Sequence, residues 1–190
     1  PISWAIVGFF GIQSLGFYAL LGWMPSALVS IGETPEAAGN FLGFASAIGI
    51  PSGLVISSLL GRFKSLAWWA AGTSFSTLLG NILFTFVLQT QNTAYLVPAC
   101  VLIGLGMSAT FPISLSLIST RASTQAQTTQ LSAMSQGWGY LLAAAGTFMV
   151  GFVANLAGSW AISFSIICFL TLVQTAVGVY AGRPGVIPAK

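Results

Sequence analysis

Charge is the scarcest feature of this sequence. Five of its 190 residues are Lys or Arg, two are Glu, and Asp and His are absent. A soluble domain of this length carries about a quarter of its residues as charges. So little charge excludes a soluble enzyme, a nucleic-acid binder and a disordered tail. Without His and without CxxC spacing, a zinc site or redox motif has no ligands to use. A membrane-embedded serine or metal protease would also lack the His or acidic partners of its nucleophile or metal. The two cysteines, Cys100 and Cys168, sit in separate apolar runs without CxxC spacing and read as small buried hydrophobes. No cofactor, metal or nucleic-acid partner is expected, and the chain does not read as an enzyme.

Apolar residues are abundant, at 56% of the chain, with 22 Gly among the rest. A membrane helix needs about 20 mostly apolar residues to cross roughly 30 Å of hydrocarbon. Six runs meet that length, at about 3–31, 37–60, 66–89, 94–119, 130–154 and 160–181. The expected fold class is therefore all-α: a polytopic membrane protein with six transmembrane helices and the lipid bilayer as its first partner. The first run is too long for the h-region of a signal peptide and has no small-residue cleavage site after it. The chain begins with Pro1, so it is expected to be a segment of something longer.

The few charges are sorted by side. Arg62, Lys64 and Arg121 fall in the connections after the second and fourth runs, and Arg183 and Lys190 follow the sixth. Glu33 and Glu36 share the connection after the first run. The positive-inside rule then assigns both ends of the segment, and the basic connections, to the cytoplasm.

Inside the runs, small residues recur every four positions, as in Gly39, Gly43 and Ala47 and in Gly139, Ala143, Thr147 and Gly151. Such stripes let helices approach closely in lipid. Pro25, Pro51 and Pro112 fall within runs and free the carbonyls of Leu21, Ala47 and Ser108 from helical bonding. Each freed carbonyl can bend its helix or line a hydrated cavity. Strongly polar side chains are few: Gln13, Ser14, Tyr18 and Trp23 in the first run, Asn81 in the third, and Ser132, Gln136 and Tyr140 on one face of the fifth. Exposure of these amides and hydroxyls to lipid is costly, so they are expected to face the bundle or a wet cavity. Helix-to-helix hydrogen bonding and a solute path both satisfy that requirement. Trp23 has a third option, as an anchor at the membrane interface. No Asp, Glu, His, Lys or Arg lies deep in any run, so charge-coupled transport would need groups from elsewhere.

Several stretches together resemble one transporter branch. They are Gly11-Ile12-Gln13-Ser14-Leu15-Gly16-Phe17-Tyr18, Trp23-Met24-Pro25, Ala38-Gly39, Gly49-Ile50-Pro51, Gly104-Leu105-Gly106 and Phe111-Pro112, with Arg121 beyond. The run from Leu131 through Gln136-Gly137-Trp138-Gly139-Tyr140 to Ala144 is the closest likeness, and Gly158-Ser159-Trp160 fits the turn before the last helix. In order and spacing these stretches resemble the cyanate and nitroimidazole transporter family of the major facilitator superfamily.

The resemblance implies the C-terminal six-helix half of a twelve-helix, alternating-access transporter in a bacterial cytoplasmic (inner) membrane, whose N-terminal half is absent here. It implies a small polar or anionic organic solute, cyanate-like, as the second partner. It also implies Gln13, Tyr18, Gln136 and Tyr140 as first solute contacts, with Ser132 and Trp23 as further path candidates. Pro112 and its neighbour Ser108 become gating candidates, together with the kinks at Pro25 and Pro51. One departure from the family is that Gly61-Arg62-Phe63-Lys64 lacks the acid that usually accompanies the basic loop cluster. The competing reading is a six-helix membrane fragment or subunit that does not transport.

Overall fold

The computed structural model describes residues 2–63 and 65–187, so Lys64 and Lys190 lie outside the described residues. Six long helices form the chain: α1 (Ile2–Ser30), α2 (Pro35–Leu59), α3 (Ala67–Thr90), α4 (Leu96–Arg121), α5 (Gln125–Ala157) and α6 (Trp160–Ala181). Each is long and apolar enough to cross a membrane, and no strand occurs among the described residues. Short 3-10 turns at Leu60–Arg62 and Thr93–Tyr95 complete the connections.

Two helices begin earlier than their apolar runs. Thr34 caps α2 by accepting from the Ala37 N–H at 3.1 Å, and Pro35 fills the first helical position, where no N–H is needed. Thr124 caps α5 through the Gln127 N–H at 3.2 Å, so the polar residues 125–129 are helical and not a loop. With 33 residues, α5 extends about 50 Å, well beyond the hydrocarbon layer. Its far end stops at Gly158, whose left-handed conformation (φ 61°) closes the helix. Pro25, Pro51 and Pro112 all lie inside helices that continue through them.

The bundle is held by close-packed seams. On the α1–α5 seam, Phe10, Leu15 and Trp23 of α1 fill the notches left by Gly139, Gly146 and Gly151 of α5. On the α2–α4 seam, Gly49 lies against Ser108, Gly104 lies against the Ala45 carbonyl, and Ser52 donates to Leu105 O at 2.7 Å. Gly80 and Gly106 do the same for α3 and α4, where Ser76 donates to Leu102 O at 2.9 Å. The stripe of Gly39, Gly43 and Ala47 is different: it stays exposed, with no described residue against its glycines.

Between α3 and α6 the seam is polar. Gln174 donates to Ser74 at 3.0 Å, and Asn81 donates to Thr171 at 3.4 Å while its Oδ1, fully buried, has no partner among the described residues. Membrane hydrogen bonds average well below 1 kcal/mol, and an unpaired buried acceptor lowers the worth of the residue that carries it. Asn81→Ala is therefore expected to cost about 1 kcal/mol, less than the roughly 2 kcal/mol of Gln174→Ala. Thermal melts of the purified variants check the order, and the reverse order would reveal a further partner at Asn81 Oδ1.

The ends of the bundle are also sorted. Leu66 N–H donates to Gly182 O at 3.1 Å, and Arg121 reaches Ala181 O and Gly182 O at 3.1 and 3.0 Å. The start of α3, the end of α4 and the end of α6 therefore meet at one end, which carries Arg121 and Arg183 and which the Arg62 turn enters.

Candidate functional site

A cleft of about 270 Å³ opens between α1, α4 and α5. The spacing of Gln13, Ser14, Phe17 and Tyr18 puts them on one face of α1, as it does Met107, Ser108 and Phe111 on α4, and α5 contributes Tyr140. The sequence-derived candidates Gln13, Tyr18, Ser108 and Tyr140 are thus neighbours in space.

Aromatic rings frame the cleft as one chain, with three edge contacts and a tilted contact between Phe10 and Phe111. Phe17 meets Tyr18 at 5.3 Å, Tyr18 meets Tyr140 at 6.4 Å, Tyr140 meets Phe10 at 5.4 Å, and Phe10 meets Phe111 at 6.3 Å. Edge-to-face packing of this kind holds rings in fixed orientations. Phe10 is locked in turn by the Gly139 notch, which fixes the registry of α1 against α5 beside the cleft.

The polar groups of this frame are largely unengaged. Gln13 is only 4% exposed and accepts from Ser14 at 3.3 Å, but its amide nitrogen donates to no described residue. The hydroxyls of Tyr18, Ser108 and Tyr140 likewise have no hydrogen-bond partner among the described residues. The amide and the hydroxyls open onto the cleft, so the site is suited to a guest that accepts hydrogen bonds. No lining residue is charged. A smaller apolar recess adjoins the cleft, shares Phe17, Met107 and Ser108 with it, and continues to Leu42 and Ala45 of α2.

The remaining candidates lie elsewhere. Gln136 and Ser132 occupy a separate shallow groove with Thr128, Thr129 and Ala133, where Gln136 donates to Ser132 at 2.7 Å. They share a helix face with Tyr140 but stand one and two turns nearer the start of α5. Trp23 does not line the cleft: its indole N–H donates to Thr147 O at 2.7 Å and its ring packs on Trp160 at 5.4 Å. That backbone partner anchors α1 to α5 and leaves the tryptophan no free polar group.

Pro51 is exposed on α2 between Gly49 and Gly53, and Pro112 lies one turn beyond Ser108, so both flank the α2–α4 crossing. The Ser108 carbonyl freed by Pro112 faces Gly53. Pro25 follows the buried Met24, away from that crossing. Arg62 is exposed, whereas Arg121 is buried. The sequence reading missed Phe17, Met107 and Phe111 as cleft walls, because ordinary apolar residues in an apolar helix carry no distinguishing signal.

The profile of the Major Facilitator Superfamily matches residues 1–147. The chain belongs to the major facilitator superfamily. This major facilitator chain is 32% identical over 183 residues to the "2-nitroimidazole transporter" of Escherichia coli (strain K12), covering 96% of the chain and 45% of that protein. It is 30% identical over 182 residues to "Uncharacterized transporter YycB" of Bacillus subtilis (strain 168), covering 96% of the chain and 44% of that protein. Identity to "Cyanate transport protein CynX" of Escherichia coli (strain K12) is 23% over 174 residues, which is 90% of the chain and 44% of that protein. The chain spans about half the length of these relatives. It is a multi-pass membrane protein of a transporter family, not an enzyme, and its six helices form a major-facilitator-type half-bundle.

Proposed function

We propose that this chain is the C-terminal half of a twelve-helix transporter of a bacterial cytoplasmic membrane, and that the α1–α4–α5 cleft is its share of the solute site. The observation that carries this reading is the convergence of unpartnered donors from Gln13, Tyr18, Ser108 and Tyr140 inside an aromatic frame. The solute this favours is small and polar, with hydrogen-bond acceptors and a flat face that rings can cover. Such a description covers a nitroimidazole-like heterocycle and a cyanate-like anion, in keeping with the names of two relatives. The neutral lining favours the heterocycle; an anion would need positive charge from helix ends or from the other half.

The second six-helix half is supported by length and by packing. The relatives are about twice as long, and the Gly39–Gly43–Ala47 face of α2 is free for the close approach of another helix. The positive-inside rule assigns the Arg62, Arg121 and Arg183 end to the cytoplasm. In alternating access, α2 and α4 move as one body, because Gly49, Gly53 and Gly104 lock them, and the carbonyls freed by Pro51 and Pro112 absorb bending. Ser132 and Gln136 extend the path from Tyr140 toward the cytoplasmic mouth.

Uptake of labelled 2-nitroimidazole and cyanate by cells expressing the complete transporter tests the reading. Gln13→Ala with Tyr140→Phe is expected to lower uptake at least tenfold at equal membrane abundance, since a site built to hydrogen-bond its solute loses heavily when donors are removed. Uptake that is unchanged by the double substitution rules out this cleft as the solute site.

A further inference from the structure

A second cavity, of about 450 Å³, lies on the opposite side of α4 from the solute cleft, as a trough between α2 and α3. Its walls include Ile56, Trp68, Gly72, Ser76, Leu105 and Ala109. It exists because small residues stand where α2 and α3 diverge: nothing lies within 4 Å of the position a Cβ at Gly72 would take. The hydroxyls that border it are all engaged. Ser52 donates to Leu105 O at 2.7 Å, Ser76 to Leu102 O at 2.9 Å and Thr73 to Trp69 O at 2.9 Å. The trough therefore offers hydrocarbon-like walls and no free hydroxyl, its indole N–H groups standing at the start of α3, in contrast to the cleft with its unpartnered amide and hydroxyls.

One end of the trough is polar. Trp68, in the first turn of α3, is 82% exposed. The chain joining Ile56 to Trp68, both trough residues, carries the exposed Arg62. The only two acidic side chains of the sequence, Glu33 and Glu36, stand at the other end of α2, about 37 Å away along the helix axis. Arg62 therefore has no acidic side chain at its end of the bundle. An exposed indole at a helix end is the arrangement found at the level of lipid headgroups, and a basic residue there attracts anionic lipid. The Phe63–Trp69 ring pair, at 4.6 Å, backs the same corner.

We propose that this trough is a binding site for an anionic phospholipid. One acyl chain lies along Gly72, Ser76 and Leu105, and the phosphate is held by the Arg62 guanidinium with the Trp68 indole N–H. The occupant must be both anionic and long-chained, because the apolar trough and the unpaired cation are parts of one site. This assignment is independent of the solute cleft and does not require transport.

Native mass spectrometry of the purified protein, with phosphatidylglycerol and phosphatidylcholine of identical chains, tests it. The wild type is expected to retain one phosphatidylglycerol at least fivefold more than phosphatidylcholine, the discrimination one basic residue near a headgroup supplies. With Lys64 of the same connection replaced by Gln in every protein compared, Arg62→Gln is expected to abolish that preference, and Gly72→Phe, which fills the trough, to lower retention of both lipids at least fivefold. Glycerol phosphate in excess is expected not to displace the lipid. Equal retention of the two lipids by the wild type, a preference surviving Arg62→Gln, or displacement by glycerol phosphate overturns the proposal. Phosphatidylglycerol retention that survives Gly72→Phe does so as well. If Gly72→Phe lowers the melting temperature, Gly72→Leu is the deciding variant, with the same two outcomes.

Discussion

Gly106→Ala is expected to destabilise the chain by about 3 kcal/mol, a loss of roughly a hundredfold in the folded-to-unfolded ratio. The added methyl would overlap the Thr73 carbonyl oxygen and lie 2.6 Å from the Thr77 nitrogen. Both are backbone atoms of α3, so relief requires the two helices to separate. Separation also strains the Gly80 contact on the same seam, where a Cβ would lie 2.8 Å from the Ile103 nitrogen. Association of helices in lipid depends on packing, so this loss has no compensating hydrophobic term. Two other glycines provide internal controls. A methyl at Gly146 meets only the flexible Leu15 side chain, and one at Gly72 meets nothing. Gly146→Ala is expected to cost less than Gly106→Ala, and Gly72→Ala to be neutral or to stabilise by up to about 1 kcal/mol through helix propensity. With Cys168 replaced by Ser, Cys100, buried in α4, serves as a reporter: a thiol-reactive fluorogenic dye reads its exposure on heating. A wild-type melting curve for Gly106→Ala would refute the backbone-contact argument.

The contrast among these glycines shows where sequence reading stops. The six spans are legible because a length of apolar residues has one economical use in lipid. Gln13, Tyr18 and Tyr140 are legible because polar tips in such spans need a reason to be there. Their meeting with Ser108 depends on the α1–α5 and α1–α4 packing, which no spacing within one helix encodes. The same limit explains Gln136 and Ser132. A four-residue period places them on the Tyr140 face, but it cannot say how far along that face the cleft extends. The early start of α5 was hidden for a different reason: Thr124 and the polar residues after it look like a loop until the cap is seen. Trp23 reads as a path candidate or an interface anchor because its actual partner is a backbone carbonyl 124 residues away.

Arg121 belongs with these long-range features, and its removal is the other large effect expected. In the sequence it is one of five cations that sort by side; in the fold it is 6% exposed and works as a three-pronged cap. Its Nε donates to Ala181 O at 3.1 Å, Nη2 to Gly182 O at 3.0 Å and Nη1 to Gly185 O at 3.2 Å. The last carbonyls of α6 have no helical donor, and the helix dipole places partial negative charge there, so a guanidinium suits both needs. The tail returns the contact: Ile187 N–H donates to Arg121 O at 2.7 Å, and Ser123 donates to the Ile187 carbonyl. Hydrogen bonds to a charged group contribute about 1.5–3 kcal/mol each but do not add fully, so Arg121→Met is expected to cost about 4 kcal/mol. Arg121→Lys should recover less than half of that, because a point charge cannot span three carbonyls held by a planar fork. Alongside the thermal shift, proteolysis at Arg183 should accelerate in both variants as the tail is released. Arg62→Gln, which removes an equal charge from an exposed turn, should leave both readouts unchanged. A shift of equal size in Arg62→Gln and Arg121→Met would mean that the number of cations at this end matters, and that the buried fork at the end of α6 does not.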